Sequence, residues 1–290
     1  MPSPAPAPTA SSTAYPSAAS LPPIAFIGGG NMASAILGGL IREGLPTGSV
    51  EVVEPFEEAR ARLARQFGVT ARASAGPALG RCALVVWAVK PQSFAEAAAA
   101  AGPHARAALH LSVAAGIPSA SIARWLGTEA IVRAMPNTPA LVGQGMTGLF
   151  ARADVPAEGR ARVEHVLAPT GELMWVDAEP ALDAVTAMSG SGPAYVFYFI
   201  EAMTEAGVEM GLTPAQARRL AIGTFTGASA LARSADEPPE VLRARVTSKG
   251  GTTYAALQSM EAAEVKARFK TAIRAAEQRA GELAQEFGRA

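Results

Sequence analysis

Ile24-Ala25-Phe26-Ile27-Gly28-Gly29-Gly30-Asn31-Met32-Ala33 decides the fold. A short apolar run enters a glycine triplet, and a stretch with helical spacing leaves it. The pattern G-x-G-x-x-A between a strand and a helix builds a dinucleotide-binding turn. Gly28 permits the tight turn, Gly30 lets the backbone approach a pyrophosphate, and Ala33 keeps the helix close to the strand. The free N–H groups and dipole of the opening helical turn attract the anion. The residues expected at the cofactor are therefore Ile27, Gly28, Gly29, Gly30, Asn31 and Met32. The plain alternative is a glycine-rich strand-to-helix turn with no ligand.

The next apolar run, Val50–Glu54, ends on an acid where a neighbouring strand would present it to an adenine ribose. A carboxylate there accepts from the ribose 2′-OH and repels a 2′-phosphate, favouring NADH over NADPH. Alternatively, Glu54 caps the turn at Glu54-Pro55. Arg60 and Arg62 follow closely enough to offset a phosphate, so the choice between NADPH and NADH stays open.

Further out, strands are expected at Ala83–Val89, Leu109–Val113, Ala130–Ala134, Thr147–Ala151 and Leu173–Val176. Helices are expected at Met32–Gly44, Glu57–Gly68, Ser93–Gly102 and Ser119–Gly127. Such alternation implies βαβ units and an α/β doubly wound sheet. Ala83–Val89 is apolar on both faces, as a central parallel strand should be. After about Pro180 the pattern turns helical, at Ala194–Gly211, Pro214–Arg233, Pro239–Val246, Thr252–Glu264 and Val265–Phe287. The run Tyr195–Ile200 is apolar all round a helix, which demands burial on every side and points to a second subunit. The expected organisation is a disordered Pro/Ala/Ser-rich tail over 1–22, a dinucleotide-binding domain over 23–180 and an all-α domain over 181–290.

Of the 290 residues, 49% are hydrophobic and 17% charged, and Lys plus Arg (25) balances Asp plus Glu (25). That composition excludes a disordered chain. Nucleic-acid or anionic-membrane binding has no global electrostatic signature, and neither partner is expected. Residues 133–152 and 183–201 run long without internal charge, but Gly, Pro, Asn, Ser or Thr interrupt each, so no bilayer span is expected. The opening residues lack the basic start and apolar core of a secretory leader. One cysteine, Cys82, permits neither an internal disulfide nor a cysteine zinc site, and fits a reducing, cytoplasmic location. No metal is expected, because His104, His110 and His165 have no ligand-like neighbours.

Four further segments follow the glycine turn in order: Ala88-Val89-Lys90-Pro91, Arg133-Ala134-Met135-Pro136-Asn137-Thr138-Pro139-Ala140, Ser189-Gly190-Ser191-Gly192-Pro193-Ala194-Tyr195 and Val246-Thr247-Ser248-Lys249-Gly250-Gly251-Thr252-Thr253. Together they resemble the pyrroline-5-carboxylate reductase family over about residues 23–280. The resemblance implies an N-terminal Rossmann-like domain and a helical domain that binds substrate and dimerises. It implies a homodimer, with dimers assembling into a larger ring. It also implies reduction of Δ1-pyrroline-5-carboxylate to L-proline by NADPH or NADH, the last step of proline biosynthesis.

Each segment has its own physical reading. Ala88, Val89, Lys90 and Pro91 end a central strand, where doubly wound sheets bind ligands, and the resemblance implies cofactor contact there. Lys90 either bonds a ribose hydroxyl or the pyrophosphate, or is solvated. Ala115 and Gly116 are small enough to leave room for a nicotinamide. Asn137 and Thr138 either orient polar groups or satisfy their own proline-fixed loop. Ser189–Pro193 reads as the floor of a cleft between the domains or as tight helix packing. Ser248, Gly250, Gly251, Thr252 and Thr253 are the substrate candidates. The first-turn N–H groups near Gly251, Thr252 and Thr253 can hold the carboxylate, and the Thr253 hydroxyl can face the ring nitrogen. Ordinary capping by Ser and Thr is the alternative. Lys249 stands where the family usually has Pro, and carries no catalytic role. The loop holds no His, Asp or Glu to act as a general acid, so positioning is expected to dominate. A lysine-dependent hydroxyacid dehydrogenase fits less well, because Lys249 precedes the glycine pair in a loop.

Overall fold

The computed structural model describes residues 17–288. They divide into two compact units, one running to Glu179 and including residues 286–288, the other spanning Pro180–Gln285.

The first unit carries strands β1 (Ile24–Ile27), β2 (Val50–Val53), β3 (Ala71–Arg72), β4 (Leu84–Trp87), β5 (Leu109–Ser112), β6 (Ile131–Met135), β7 (Gly145–Ala151) and β8 (Gly171–Trp175). Helices α1 (Asn31–Arg42), α2 (Glu57–Phe67), α3 (Phe94–Ala101), α4 (Ser119–Leu126) and α5 (Ala157–Leu167) connect them. The sheet order is β3-β2-β1-β4-β5-β6-β7-β8. It is mostly parallel, and β6 pairs β7 antiparallel. The reversal has a local cause. Residues 136–144 hold two prolines, Pro136 and Pro139, with Gly143 alone in the left-handed region, and are too few for a crossover. Chain order reverses between β1 and β4, the point at which a doubly wound sheet opens a crevice.

Strands β1 and β4 are buried on both faces. Ile24, Phe26, Leu84 and Val86 join one apolar layer with α1, while Ala25, Ile27, Val85 and Trp87 join the other with α3 and α4. Two elements had no sequence signal: β3, and α5, whose buried Val163, Val166 and Leu167 form a narrow stripe. The expected tail divides in two. Residues 1–16 lie outside the described residues, whereas residues 18–20 make a helical turn, and Ala18 and Leu21 are buried in the core.

Glu179 closes this unit. Its carboxylate accepts from Ser119 N (2.6 Å), Ser119 Oγ (2.6 Å) and Arg133 Nη1 (2.6 Å). Burial alone would raise its pKa, but the Ser119 and Arg133 hydrogen bonds and the Arg133 charge together hold it below the usual range. It neutralises the first turn of α4.

Trp87 Nε1 donates to His110 Nδ1 at 3.1 Å, so the His110 proton sits on Nε2, which has no partner among the described residues. Burial pushes the His110 pKa down to about 4 from 6.5. The folded state therefore keeps His110 neutral while the unfolded chain takes up a proton below about pH 6.5. Stability is complete above that value and falls by roughly 3 kcal/mol as pH drops toward 4. Urea unfolding at pH 7.5 and 5 should show the loss, and His110→Gln should flatten the slope between them.

The second unit holds α6 (Ala181–Val185), a π-helical turn over Thr186–Gly190, α7 (Gly192–Glu209), α8 (Pro214–Ser234), α9 (Pro239–Arg245), α10 (Thr252–Ala262) and most of α11 (Val265–Gly288). Pro193 lies in the first turn of α7, where its missing N–H costs nothing. Gly207 lets α7 approach α8, because a Cβ there would come 2.7 Å from Ala217 Cβ. Phe269 packs edge-on against Tyr195 and Phe199. Three residues of the α7 girdle stay open: Val196, Phe197 at 64% exposed and Tyr198 at 68%. A single chain does not cover this helix. Among the described residues, no helix is long and apolar enough to cross a membrane.

Candidate functional site

The first unit gathers the expected cofactor residues at the carboxyl ends of its central strands. Backbone bonds align those ends: Gly28 N to Val53 O (2.8 Å), Ala88 N to Ile27 O (2.8 Å) and Val113 N to Trp87 O (3.0 Å). Gly28 has φ +94°, and a Cβ there would lie 2.6 Å from Ala88 O. The glycine turn and the Ala88–Pro91 segment are thus in contact. Ile27 and Gly29 are buried, Gly30 and Asn31 exposed, and Met32 half-buried.

The turn fits a dinucleotide. A Cβ on Gly30 would meet nothing within 4 Å, leaving open space beside the turn. The first rung of α1 is Ser34 N to Gly30 O, so the N–H groups of Asn31, Met32 and Ala33 precede the ladder. No side chain caps them, and no acid lies in that first turn. Lys90 is exposed at the end of β4. Ala115 and Gly116 follow β5, with Gly116 at φ +74°. Cys82 is buried on the same unit, and its thiol is pushed up to about 11, chiefly by burial.

Glu54 is held by backbone donors. It is 6% exposed, and its carboxylate turns onto backbone: Oε2 accepts from Gly29 N (2.7 Å) and Oε1 from Phe56 N (2.9 Å). Arg62 Nη2 donates to Gly29 O (3.0 Å), and Arg60 Nη1 to Glu54 O (3.0 Å) and Pro55 O (2.7 Å). The bond from Phe56 N matches the capping alternative. The Arg62 contact was not foreseen, and only its one-turn spacing from Glu58 and Arg65 hinted at a shared helix face.

The substrate candidates lie in the second unit. Thr247 Oγ1 donates back to Arg243 O (2.6 Å) and ends α9. Gly250 takes φ +78° and lets the chain turn into α10. Gly251 N already donates to Ser248 O (3.0 Å), which removes it from the expected set of free N–H groups. The first rung of α10 is Ala255 N to Gly251 O (3.1 Å), so the N–H groups of Thr252, Thr253 and Tyr254 precede it. No side chain caps them and no acid lies in the first turn, contrary to the Ser/Thr-capping alternative. Ser248, Gly250, Thr252 and Thr253 are exposed. In the loop after β6, Asn137 Oδ1 accepts from Met146 N (3.0 Å) and braces the turn.

Several other helix starts are already neutralised. Glu57 and Glu58 open α2, the Glu179 carboxylate sits on α4, and Thr213 with Gln216 forms a capping box on α8. Among the described residues no cluster of His, Cys, Asp and Glu could hold a metal ion.

Residues 179–283 match the family model described as pyrroline-5-carboxylate reductase dimerisation, and residues 23–116 the model described as NADP oxidoreductase coenzyme F420-dependent. The chain is 44% identical to a pyrroline-5-carboxylate reductase of Pseudomonas aeruginosa over 93% of its length and 99% of that protein. It is 40% identical to one of Haemophilus influenzae over 90% of its length and 97% of that protein. The solved pyrroline-5-carboxylate reductase of Coxiella burnetii superposes with a TM-score of 0.83 at 35% identity, covering 91% of this chain and 98% of that one. A pyrroline carboxylate reductase of Plasmodium falciparum with NADP bound superposes with a TM-score of 0.81 at 27% identity, covering 91% and 98%.

Proposed function

The chain belongs to the pyrroline-5-carboxylate reductase family, and from that premise we propose how its residues divide the work. It is an NAD(P)H-dependent oxidoreductase of proline biosynthesis that acts as a homodimer through its helical region.

The division rests on one observation: α1 and α10 both begin with an uncapped, acid-free turn entered through a glycine with positive φ, Gly28 or Gly250. Two such turns suit two anions. The α1 turn, with Ile27, Gly28, Gly29, Gly30, Asn31 and Met32, takes the dinucleotide pyrophosphate. Ala88, Val89 and Pro91 wall the same space, Lys90 faces the anion's charge, and Ala115 with Gly116 leaves room for the nicotinamide. The α10 turn takes the substrate carboxylate on the N–H groups of Thr252 and Thr253, with Ser248, Gly250 and Gly251 shaping the approach. Thr253 Oγ1 faces the ring nitrogen.

Reduction adds a hydride to carbon 5 of the C=N bond and a proton to its nitrogen. Bound NAD(P)H supplies the hydride. The loop offers no carboxylic acid or imidazole, so the proton comes from solvent or from the already protonated imine. The chain contributes chiefly positioning. NADPH is the expected physiological donor, in keeping with the NADP held by the Plasmodium falciparum protein.

Dimers assemble further into a ring. This reading is supported by apolar side chains left open on several helices, among them Leu231 and Val246, each 68% exposed. Sedimentation should then show a species larger than two chains. A cytoplasmic location fits the single buried thiol.

The activity test mixes purified protein with the cyclic imine and NADPH or NADH. Absorbance at the reduced-nicotinamide band should fall only when both reactants are present, with proline accumulating in step. No oxidation with either cofactor would refute the reading.

A further inference from the structure

Gly29, the middle glycine of the turn, is held at both its polar groups. Its N–H donates to Glu54 Oε2 and its C=O accepts from Arg62 Nη2. The Glu54 side chain is fixed in turn by its second oxygen, which accepts from Phe56 N at the start of α2. The fit is close. A Cβ on Gly29 would lie 2.7 Å from Leu63 Cδ1 and 3.3 Å from Glu54 Cγ, so a side chain there would make the neighbouring side chains shift. The Arg60 bonds to Glu54 O and Pro55 O stiffen the backbone that carries the acid.

On the reading that the dinucleotide sits on the α1 turn, we propose that Glu54, together with Arg62, is a positioning residue that sets the direction of the phosphate-binding amides, and that its charge does not choose between NADH and NADPH. Gly29 immediately precedes Gly30 and the uncapped amides of α1. Fixing both polar groups of Gly29 fixes the peptide planes that lead into those amides. Each carboxylate oxygen already holds a buried or half-buried backbone N–H, so a change that reorients the side chain leaves a loop donor unpaired. The pyrophosphate is common to both cofactors, so a fault in its seat affects both alike.

Three variants separate this from charge discrimination. Glu54→Gln keeps the shape but aims an NH2 group at one of the two amides. Glu54→Asp keeps the charge but shortens the reach. Arg62→Met releases Gly29 O. Each should raise KM for NADPH and for NADH together, by about tenfold for the Glu54 variants. The kcat and the KM for the cyclic imine should stay within about twofold, and the NADPH-to-NADH ratio of kcat/KM within about threefold of wild type. A general loss of structure would instead lower kcat and disturb the imine KM, and thermal unfolding of each variant would reveal it. Should Glu54→Gln fail to fold, Arg62→Met carries the same comparison. A ratio that moves beyond threefold toward NADPH in Glu54→Gln overturns the proposal, as do unchanged KM values in all three variants. A wild-type chain that binds neither cofactor in a fluorescence titration overturns both the proposal and the dinucleotide reading beneath it.

Discussion

Replacing Gly28 with Val should raise KM for NADPH by about a thousandfold, the largest single effect expected of any substitution in the cofactor turn. Gly28 sits at φ +94°, where a β-branched residue is strongly disfavoured. Its Cβ would lie 2.6 Å from Ala88 O and 2.9 Å from Ala88 C, both backbone atoms of the neighbouring strand end. Neither can move without disturbing the Ala88 N to Ile27 O bond that aligns β1 with β4. The turn must open, and the amides of α1 lose their aim. Strain of this kind costs about 1–3 kcal/mol before the clash is counted, so thermal stability falls as well. Gly30→Ala is the matching control. Its Cβ would meet no protein atom within 4 Å, so stability should hold while the cofactor KM rises about tenfold or more. Calorimetry and steady-state kinetics on the two variants separate space the fold needs from space the ligand needs. A Gly30→Ala enzyme with wild-type cofactor KM would remove that space from the binding site.

Thr253→Ala should lower kcat/KM for the cyclic imine by about a hundredfold while NADPH affinity stays within about twofold. Thr253 is exposed in the first turn of α10, and its hydroxyl makes no bond within the described residues. Alanine is a better helix former, so the fold has no reason to suffer. Thr253→Ser keeps the hydroxyl and should retain most activity. Wild-type turnover in the alanine variant would take Thr253 out of the site.

The sequence made the glycine turn legible because its meaning is local: Ile24–Ile27 pairs in register with both neighbours, and three glycines follow at fixed spacing. Helix α10 was equally plain, since Gly250 and Gly251 announce it. Strand β3 was invisible because Ala71-Arg72 is too short to show a period. The direction of β7 was not read, although the short span from Pro136 to Gln144 already forbade a crossover. At the site, sequence placed Glu54 at the right strand end but could not say where its oxygens point. That depended on Gly29 and Phe56 presenting free N–H groups at bonding distance. The loss of Gly251 N to Ser248 O and the return of Thr247 Oγ1 to Arg243 O were likewise matters of loop closure that spacing does not encode.

Cys82, the chain's one cysteine, is buried and ionises only near pH 11, so maleimide at neutral pH should leave the native protein almost unmarked. Any cysteine engineered onto the outside then becomes a unique attachment point for a dye. Phe56, 73% exposed beside the Glu54 brace, would report nucleotide arrival, and Phe197 on α7 would report subunit association, each without first removing a native thiol.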